Sequence, residues 1–370
     1  MLFSNGNNEK LVLLLGVESC AVHGSLILME KDKIESNVPK VIFTCAIPVP
    51  WKPHTDSRYL IKTTEKAIRE AVETTLRHLH ILSSASKDND LPKKISSVHF
   101  SLSSPWMISQ AKLISTTFEK ETKITHEYIT ELIEKERAKM IPSQSEPIRV
   151  VEEKIFDVRL NGYSISDWQN KEARKLDVSF TVSVVGTHTM ERFASLCEHI
   201  VNPHKVRFHS SLLLQFIGAE KSLITDKNYA IIHVHGELTD VAIINDRACV
   251  FFGSYPFGTH TFIRKISAST KINHHVTDSM ITLYTARRLD PVQNKKVYSS
   301  IENISGGWTG ELSKVFSIST QKIQNFNKII LLACAHENCF AEILQKAYPK
   351  IKITLVSESN LLPVAIHSME

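Results

Sequence analysis

The chain lacks four things, and each absence narrows what it does. It has no Cys-x-x-Cys pair: the six cysteines, Cys20, Cys45, Cys197, Cys249, Cys334 and Cys339, are scattered through mostly apolar segments, which predicts a reduced, intracellular protein. It has no lysine and arginine tract with interleaved aromatics, and its net charge is a mild +5, so nucleic acid is not an implied partner. It has no apolar run of the roughly 20 residues that a membrane-spanning helix needs, so any membrane contact is expected to be peripheral. It has few features of a leader at Leu11 to Val17, which is apolar but short, preceded by a single Lys10, followed at once by Glu18 and without a small-residue cleavage site, so a signal peptide is not expected there. That stretch reads as a buried strand.

What is there is an ordinary globular composition, 42% hydrophobic and 22% charged over 370 residues, which suits two or three compact units. The opening reads strand, turn, strand: Leu11 to Val17, a break at Glu18-Ser19-Cys20, Ser25 to Met29, then a further apolar stretch at Val41 to Ile47. Tyr59 to Leu79 carries Leu60, Ala67, Ile68, Ala71 and Leu76 at helical spacing and runs into a polar loop at 83–94. Ile95 to Ser101 is a new strand. A helix from Ile124 to Met140 with Thr125 as its N-cap, a polar loop at 143–147, and two alternating strands, Val150 to Leu160 and Leu176 to Val185, then form a small α+β unit inserted in a larger fold.

The second half repeats the grammar of the first. A helix and strand from Met190 lead through Ser211 to Ile217 into a hairpin at Tyr229 to Asn245. Cys249 to Tyr255 is a further strand that ends at Pro256-Phe257-Gly258-Thr259, and helical stretches cover Ser279 to Arg288 and Gly310 to Phe316. Lys328 to Leu332 reads as a buried strand before a helix at Phe340 to Ala347, and Ile351 to Val356 is a final strand before a short tail.

The hairpin at Tyr229 to Asn245 is the most informative stretch. Its Gly-Glu-Leu-Thr-Asp turn has part of the chemistry of a phosphate cradle: Gly236 lets backbone N–H groups approach an anion, Thr239 offers a hydroxyl, and Asp240 can hold Mg²⁺ through water. An ordinary hairpin with a solvated polar tip is the competing reading.

A strand-turn-strand opening each half, a small domain inserted in the first half and a late buried strand with a small-residue turn together resemble the actin-fold ATPase superfamily, and more narrowly its FtsA and PilM group. The resemblance runs from about Leu11 to the end. It implies an α/β, actin-like (ribonuclease H-like) two-domain fold, with residues 1–94 and 189–225 as the first domain, 95–188 as an inserted FtsA-like α+β subdomain, and 226–370 as the second domain with a reduced insertion. The inserted unit, from SSVHFSLSSPWMISQ through ITHEYITELIEKERAK to LDVSFTVSVV, carries the closer match, and in FtsA-like proteins that subdomain is an interaction surface.

The family's nucleotide motifs map onto this chain with losses. Gly16-Val17-Glu18-Ser19-Cys20-Ala21 occupies the first hairpin pattern, with Glu18 keeping the carboxylate and Cys20 replacing a glycine. In the second hairpin only Gly236, Thr239 and Asp240 survive of a pattern rich in glycine and threonine, with Glu237 standing where a glycine is expected, and Pro256-Phe257-Gly258-Thr259 keeps one glycine of two. Ile329 to Cys334 lacks the glycine pair that approaches adenosine. Each glycine replaced adds a Cβ where backbone must approach a ligand. The resemblance thus implies a cofactor site at Glu18, Gly236, Glu237, Thr239, Asp240 and Gly258, with ATP and Mg²⁺ as its ligands, and an activity that is weak or lost because phosphoryl transfer needs metal carboxylate, cradle and positioned nucleophile together.

By the same resemblance the chain is expected to be an FtsA-like scaffold in cell division, coupling an FtsZ-like polymer to the inner face of the membrane through protein contacts, with self-association as a further expectation. The alternatives are a PilM-like component of a type IV pilus or secretion platform, which binds a cytoplasmic peptide of a membrane protein, and an actin-fold small-molecule kinase. Other residues read more simply. His233 and His235 share a strand face, as a metal pair would, but no third ligand stands at a convincing spacing and they read as core or solvent-facing. His274-His275 reads as a loop pair, Cys334 and Cys339 straddle a strand-to-helix turn, and Trp106, Trp168 and Trp308 read as junction or loop residues.

Overall fold

The computed structural model describes residues 9–30, 39–52, 56–85, 92, 94–140, 147–222, 226–320 and 326–369. The polar loops expected at 83–94 and 143–147 fall mostly outside these residues. In chain order the first half runs β1 (Glu9–Val17), β2 (Ala21–Glu30), β3 (Lys40–Pro48), α1 (Ser57–Ala85) and β4 (Ile95–Leu102). The inserted unit follows as β5 (Met107–Lys123), α2 (His126–Met140), β6 (Ile148–Leu160), β7 (Tyr163–Ser164) and β8 (Glu172–Gly186). The first half is then completed by α3 (Thr187–Ser195), β9 (Val206–Ser210) and α4 (Ser211–Ser222). The second half comprises β10 (Tyr229–Val234), β11 (Thr239–Asn245), β12 (Ala248–Tyr255), α5 (Thr259–Thr270), α6 (His274–Thr285), α7 (Pro291–Thr320), β13 (Lys328–Ala333), α8 (Glu337–Ala347), β14 (Lys352–Leu355) and α9 (Glu358–Met369).

The strands form two sheets of the same plan. The first has the order β3-β2-β1-β4-β9, and the second begins β14-β13-β10-β11-β12. In each, an antiparallel meander of three strands is extended by two parallel strands beside the first: β1 pairs β2 antiparallel and β4 parallel, as β10 pairs β11 and β13. Apart from His233, the central strands β1 and β10 are apolar from Leu11 to Val17 and from Tyr229 to Val234 because both of their faces are covered, as parallel strands require. Leu11, Leu13 and Leu15 of β1 pack with Ala67, Ile68 and Val72 of α1, whereas Val12 and Leu14 point the other way into a core shared with α4 and α9. Tyr229 and Ile231 of β10 enter that shared core from the second sheet, and Ala230, Ile232 and Val234 face α5, α7 and α8. The two helices α4 and α9 therefore form the layer between the sheets. At their crossing, a Cβ on Gly218 would stand 2.3 Å from the Leu361 carbonyl oxygen, so only glycine fits.

The inserted unit has a core of its own, in which Ile129 and Ile133 of α2 pack on Val178 and Phe180 of β8. Thr125 caps α2, accepting the Tyr128 N–H at 3.2 Å. Its strands β5, β8, β6 and β7 continue the second sheet, joined to it where Phe252 of β12 pairs with Ala111 of β5.

Four sequence expectations change. Ile95–Leu102 lies in the first sheet, paired parallel with β1 and with β9, and not in the inserted unit that begins the 95–188 span. The short tail is α9, whose Leu361, Leu362, Ala365 and Ile366 are buried. The stretch around Gly306-Gly307 is the middle of one long helix, α7, and Trp308 within it is fully buried and not in a polar loop. His274 and His275 open α6, where the Asn273 side chain accepts the His275 N–H at 2.9 Å.

Candidate functional site

The turn after β1 and the turn after β10 meet at the junction of the two halves, and both are tight. Glu18 N–H donates to the Ala21 carbonyl at 3.0 Å, and His235 N–H donates to the Leu238 carbonyl at 2.9 Å. The turns touch directly: Glu237 N–H donates to Ser19 Oγ at 3.0 Å. The first amides of α5, which at a free helix N-terminus would serve an anion, are spent on the second turn, with Thr259 N–H on the His235 carbonyl at 2.8 Å and His260 N–H on the Gly236 carbonyl at 2.7 Å. Gly258 is required by this approach, since a Cβ there would lie 2.4 Å from the His235 carbonyl oxygen.

Behind the turns lies a buried chain of ionisable groups. His235 stands between two carboxylates, with Nδ1 3.0 Å from Glu18 Oε2 and Nε2 3.0 Å from Asp240 Oδ2. Donating from both nitrogens makes it an imidazolium. Burial lowers its pKa, but Asp240 and Glu18 outweigh burial and raise it well above the ordinary histidine value. Burial raises the Glu18 pKa, and the facing imidazoles of His233, His235 and His23 together bring it well below the usual carboxylate range. Burial and His235 hold His233 down to about 3, so His233 is neutral at neutral pH and the charge that keeps Glu18 ionised is that of His235. Asp240 follows the same pattern, burial raising its pKa and His235 lowering it further.

The surroundings extend this network. His233 Nδ1 lies 2.7 Å from the Gln215 side-chain amide nitrogen, which also lies 3.1 Å from Glu358 Oε1. Burial and the Glu18 charge push Glu358 up to about 7. The Cys20 thiol donates to Glu18 Oε2 at 3.3 Å, and His23 Nε2 lies 3.5 Å from Glu18 Oε1. Glu237 leaves the network and pairs with Arg264, at 2.6 Å to Nη2, and with His260 Nδ1 at 3.1 Å. Burial raises the Glu237 pKa, but these two partners hold it at about 2. Trp51 stacks on His260 with ring centroids 4.4 Å apart, covering the outside of the pair.

The structure thus gathers Glu18, Gly236, Glu237, Thr239, Asp240 and Gly258 in one place and engages most of their polar groups, while Asp240 Oδ1 is buried with no hydrogen-bond partner among the described residues. Thr239 Oγ1 donates to the Phe257 carbonyl at 2.6 Å and accepts the Trp308 indole N–H at 3.1 Å, so its hydroxyl serves the core. A Cβ on Gly236 would meet His260 at 2.7 Å and Ser19 Oγ at 3.0 Å, so no anion-sized space separates the turns. A cleft of about 520 Å³ opens beside them, lined among others by Gly16, Glu18, His23, His233, Cys334 and Glu358. ATP with Mg²⁺, the cofactor expected of this fold, does not fit these residues: its phosphates would find the amides used, the hydroxyl used, and carboxylates already paired with protein cations. Gln215, Arg264, His260 and Glu358 carry no local motif that marks them as members of the site, because their partners are remote in the chain.

No protein-family model matches the chain, and no curated protein matches it. Among solved structures it is similar to a PilM-PilN type IV pilus biogenesis complex, with a TM-score of 0.62 and 12% identity over 97% of this chain and 98% of that one. Less close are the ethanolamine utilization protein EutJ from Carboxydothermus hydrogenoformans, at TM-score 0.45 and 9% identity over 98% and 90% of the two chains, and a Bacteroides thetaiotaomicron protein of unknown function, at 0.41 and 10% over 100% and 98%. With its two like sheets, the helix pair between them and a small unit inserted in the first half, the chain has the actin-like ATPase fold.

Proposed function

We propose that this chain is a PilM-like scaffold, a component of a type IV pilus or secretion assembly that works by binding a partner protein and not by turning over nucleotide. The observation that carries the reading is the closed pair of turns, in which the Glu237 N–H rests on Ser19 and His235 fills the space between Glu18 and Asp240. A fold whose cradle is occupied by its own side chains keeps its shape without the ligand. The similarity to the PilM-PilN complex over nearly the full length of both chains supports the choice of partner class.

The inserted unit is the surface we assign to that partner. Among the described residues, β7 pairs with β6 only at Arg159 and Leu160, which leaves the rest of β6 as a sheet edge able to accept an added strand. Val150 and Ile155 on β6, Ile108 on β5 and Tyr163 on β7 are exposed, with Tyr163 at 76%. An FtsA-like division role is the second reading. It would draw on the same surface, but α9 lies between the sheets and not on a membrane-facing surface. Among the described residues no helix is long and apolar enough to cross a membrane. A small-molecule kinase would need the open cradle that this site lacks.

The test is affinity capture from native extract with the full chain as bait, with and without Mg-ATP. Recovery of pilus or secretion platform proteins, unaffected by nucleotide, is expected. Recovery of division proteins alone, or recovery only with nucleotide, would sink the reading.

A further inference from the structure

The residues that occupy the cradle have a second property, independent of which partner the scaffold serves. Nε2 of His233 and Nδ1 of His235 converge on one atom, Glu18 Oε2, at 3.6 and 3.0 Å. The three ligand atoms lie within 4.8 Å of one another and all three residues are buried. In a tetrahedral site with bonds of about 2.0–2.1 Å, neighbouring ligand atoms stand about 3.3 Å apart. The observed spacings bracket that value.

The far nitrogens of both rings are also supported, which is what distinguishes a ligand histidine from a stray one. His235 Nε2 is held by Asp240 Oδ2 at 3.0 Å, the carboxylate–histidine arrangement that fixes a metal-binding tautomer. His233 Nδ1 is held by the Gln215 amide at 2.7 Å, and among the described residues nothing donates to Gln215 Oε1, which is buried. Turning that amide over puts Oε1 on the Nδ1–H of His233, at the cost of the bonds its nitrogen makes to Ser211 Oγ at 2.8 Å and Glu358 Oε1 at 3.1 Å. The orphaned oxygen is then satisfied and Nε2 carries a free electron pair toward Glu18.

We propose that Glu18, His233 and His235 form a binding site for one divalent transition ion of the zinc class, with Asp240 and Gln215 as the groups that orient the two imidazoles. Two imidazoles and one carboxylate are a borderline-soft set suited to such an ion and poorly suited to Mg²⁺, which takes oxygen ligands and keeps its waters. The ion replaces the proton shared by His235 Nδ1 and Glu18 Oε2, and no redox step is involved. Glu18 and His233 line the cleft, which gives the ion its way in. Because Glu18 comes from the first half and both histidines from the second, the bound ion pins the two halves together. A second set, Glu18 with the thiols of Cys20 and Cys334, shares the same carboxylate. It lacks supporting groups of this kind, and Cys20 uses its proton on Glu18.

The experiment uses the full chain, stripped with a chelator and titrated with Zn²⁺ against a chromophoric indicator, then with Co²⁺ as a spectroscopic probe. One ion per chain is expected, with a raised unfolding temperature and a Co²⁺ spectrum of nitrogen and oxygen ligands. Glu18→Gln and His233→Gln, checked for native circular dichroism, should each weaken binding at least tenfold. Absence of a stoichiometric site in the wild-type chain overturns the proposal. So does a thiolate charge-transfer band that disappears in Cys20→Ser, which would move the ion to the cysteine set. The wild-type spectrum decides between these outcomes even where a variant does not fold.

Discussion

The backbone N–H of Glu237 donates to the hydroxyl of Ser19 at 3.0 Å, so the two turns that would face each other across a nucleotide's phosphates are bonded to one another. Mg-ATP should therefore leave the unfolding temperature unchanged. A ligand at a hundred times its Kd adds about 2.7 kcal/mol, which in a chain of this length is a rise of about 3–4 °C, well within reach of a thermal scan. A rise of that size in the wild type that is lost in Asp240→Ala would mean that the turns open to admit nucleotide.

The crossing of α4 and α9 should tolerate no added methyl. A Cβ on Gly218 stands 2.3 Å from the Leu361 carbonyl oxygen and 2.8 Å from its carbon, both backbone atoms that cannot swing away. Alanine is the better helix former by about 1 kcal/mol, so propensity alone predicts a gain. Overpacking predicts the reverse, and we expect Gly218→Ala to lose about 2–3 kcal/mol in urea unfolding. A stabilised variant would show that the helices part without cost.

Acid should weaken the fold through a second buried histidine chain. His99 Nδ1 lies 3.0 Å from His209 Nε2, Ser97 Oγ lies 3.1 Å from His99 Nε2, and His209 Nδ1 reaches Glu152 of β6 at 2.8 Å. Burial, His209, Arg207 and Lys10 hold His99 down to about 3. A folded pKa below the unfolded value of about 6.5 contributes stability that is present above about 6.5 and lost as pH falls from there toward 3. The loss from this one group is at most about 1.4 kcal/mol per pH unit. Urea midpoints should fall from about pH 6.5 toward pH 5, and His99→Asn should reduce the slope by this one group's share. An unchanged slope in the variant would place the acid sensitivity elsewhere.

The two hairpins and the inserted unit were legible because each rests on a local signal: apolar β1 and β10 are covered on both faces, and α2 announces itself with a capping threonine. What failed needed tertiary knowledge. Ile95–Leu102 looks the same whether it pairs with an inserted unit or with β1, since both environments bury it. The helical stretch expected at Gly310 to Phe316 is the later part of the long helix α7, whose Val297, Ile301, Trp308 and Leu312 pack in one core. The residues of α9 read as a short tail, although Leu361, Leu362, Ala365 and Ile366 are buried between the sheets. At the site, Glu18, Gly236, Glu237, Thr239, Asp240 and Gly258 were legible by position, but not their engagement. Glu18 and His235 are 217 residues apart, and no spacing rule reaches across that distance.

The pairing of Phe252 with Ala111 carries the sheet of the second half on into the inserted unit. The inserted unit belongs by chain order to the first half, yet its strands extend the second sheet, giving nine strands in a row from β14 to β7. The same unit is tied to the first half by the chain at both of its ends and by Glu152, which accepts the Ser210 N–H at 2.9 Å, so it bridges the two halves.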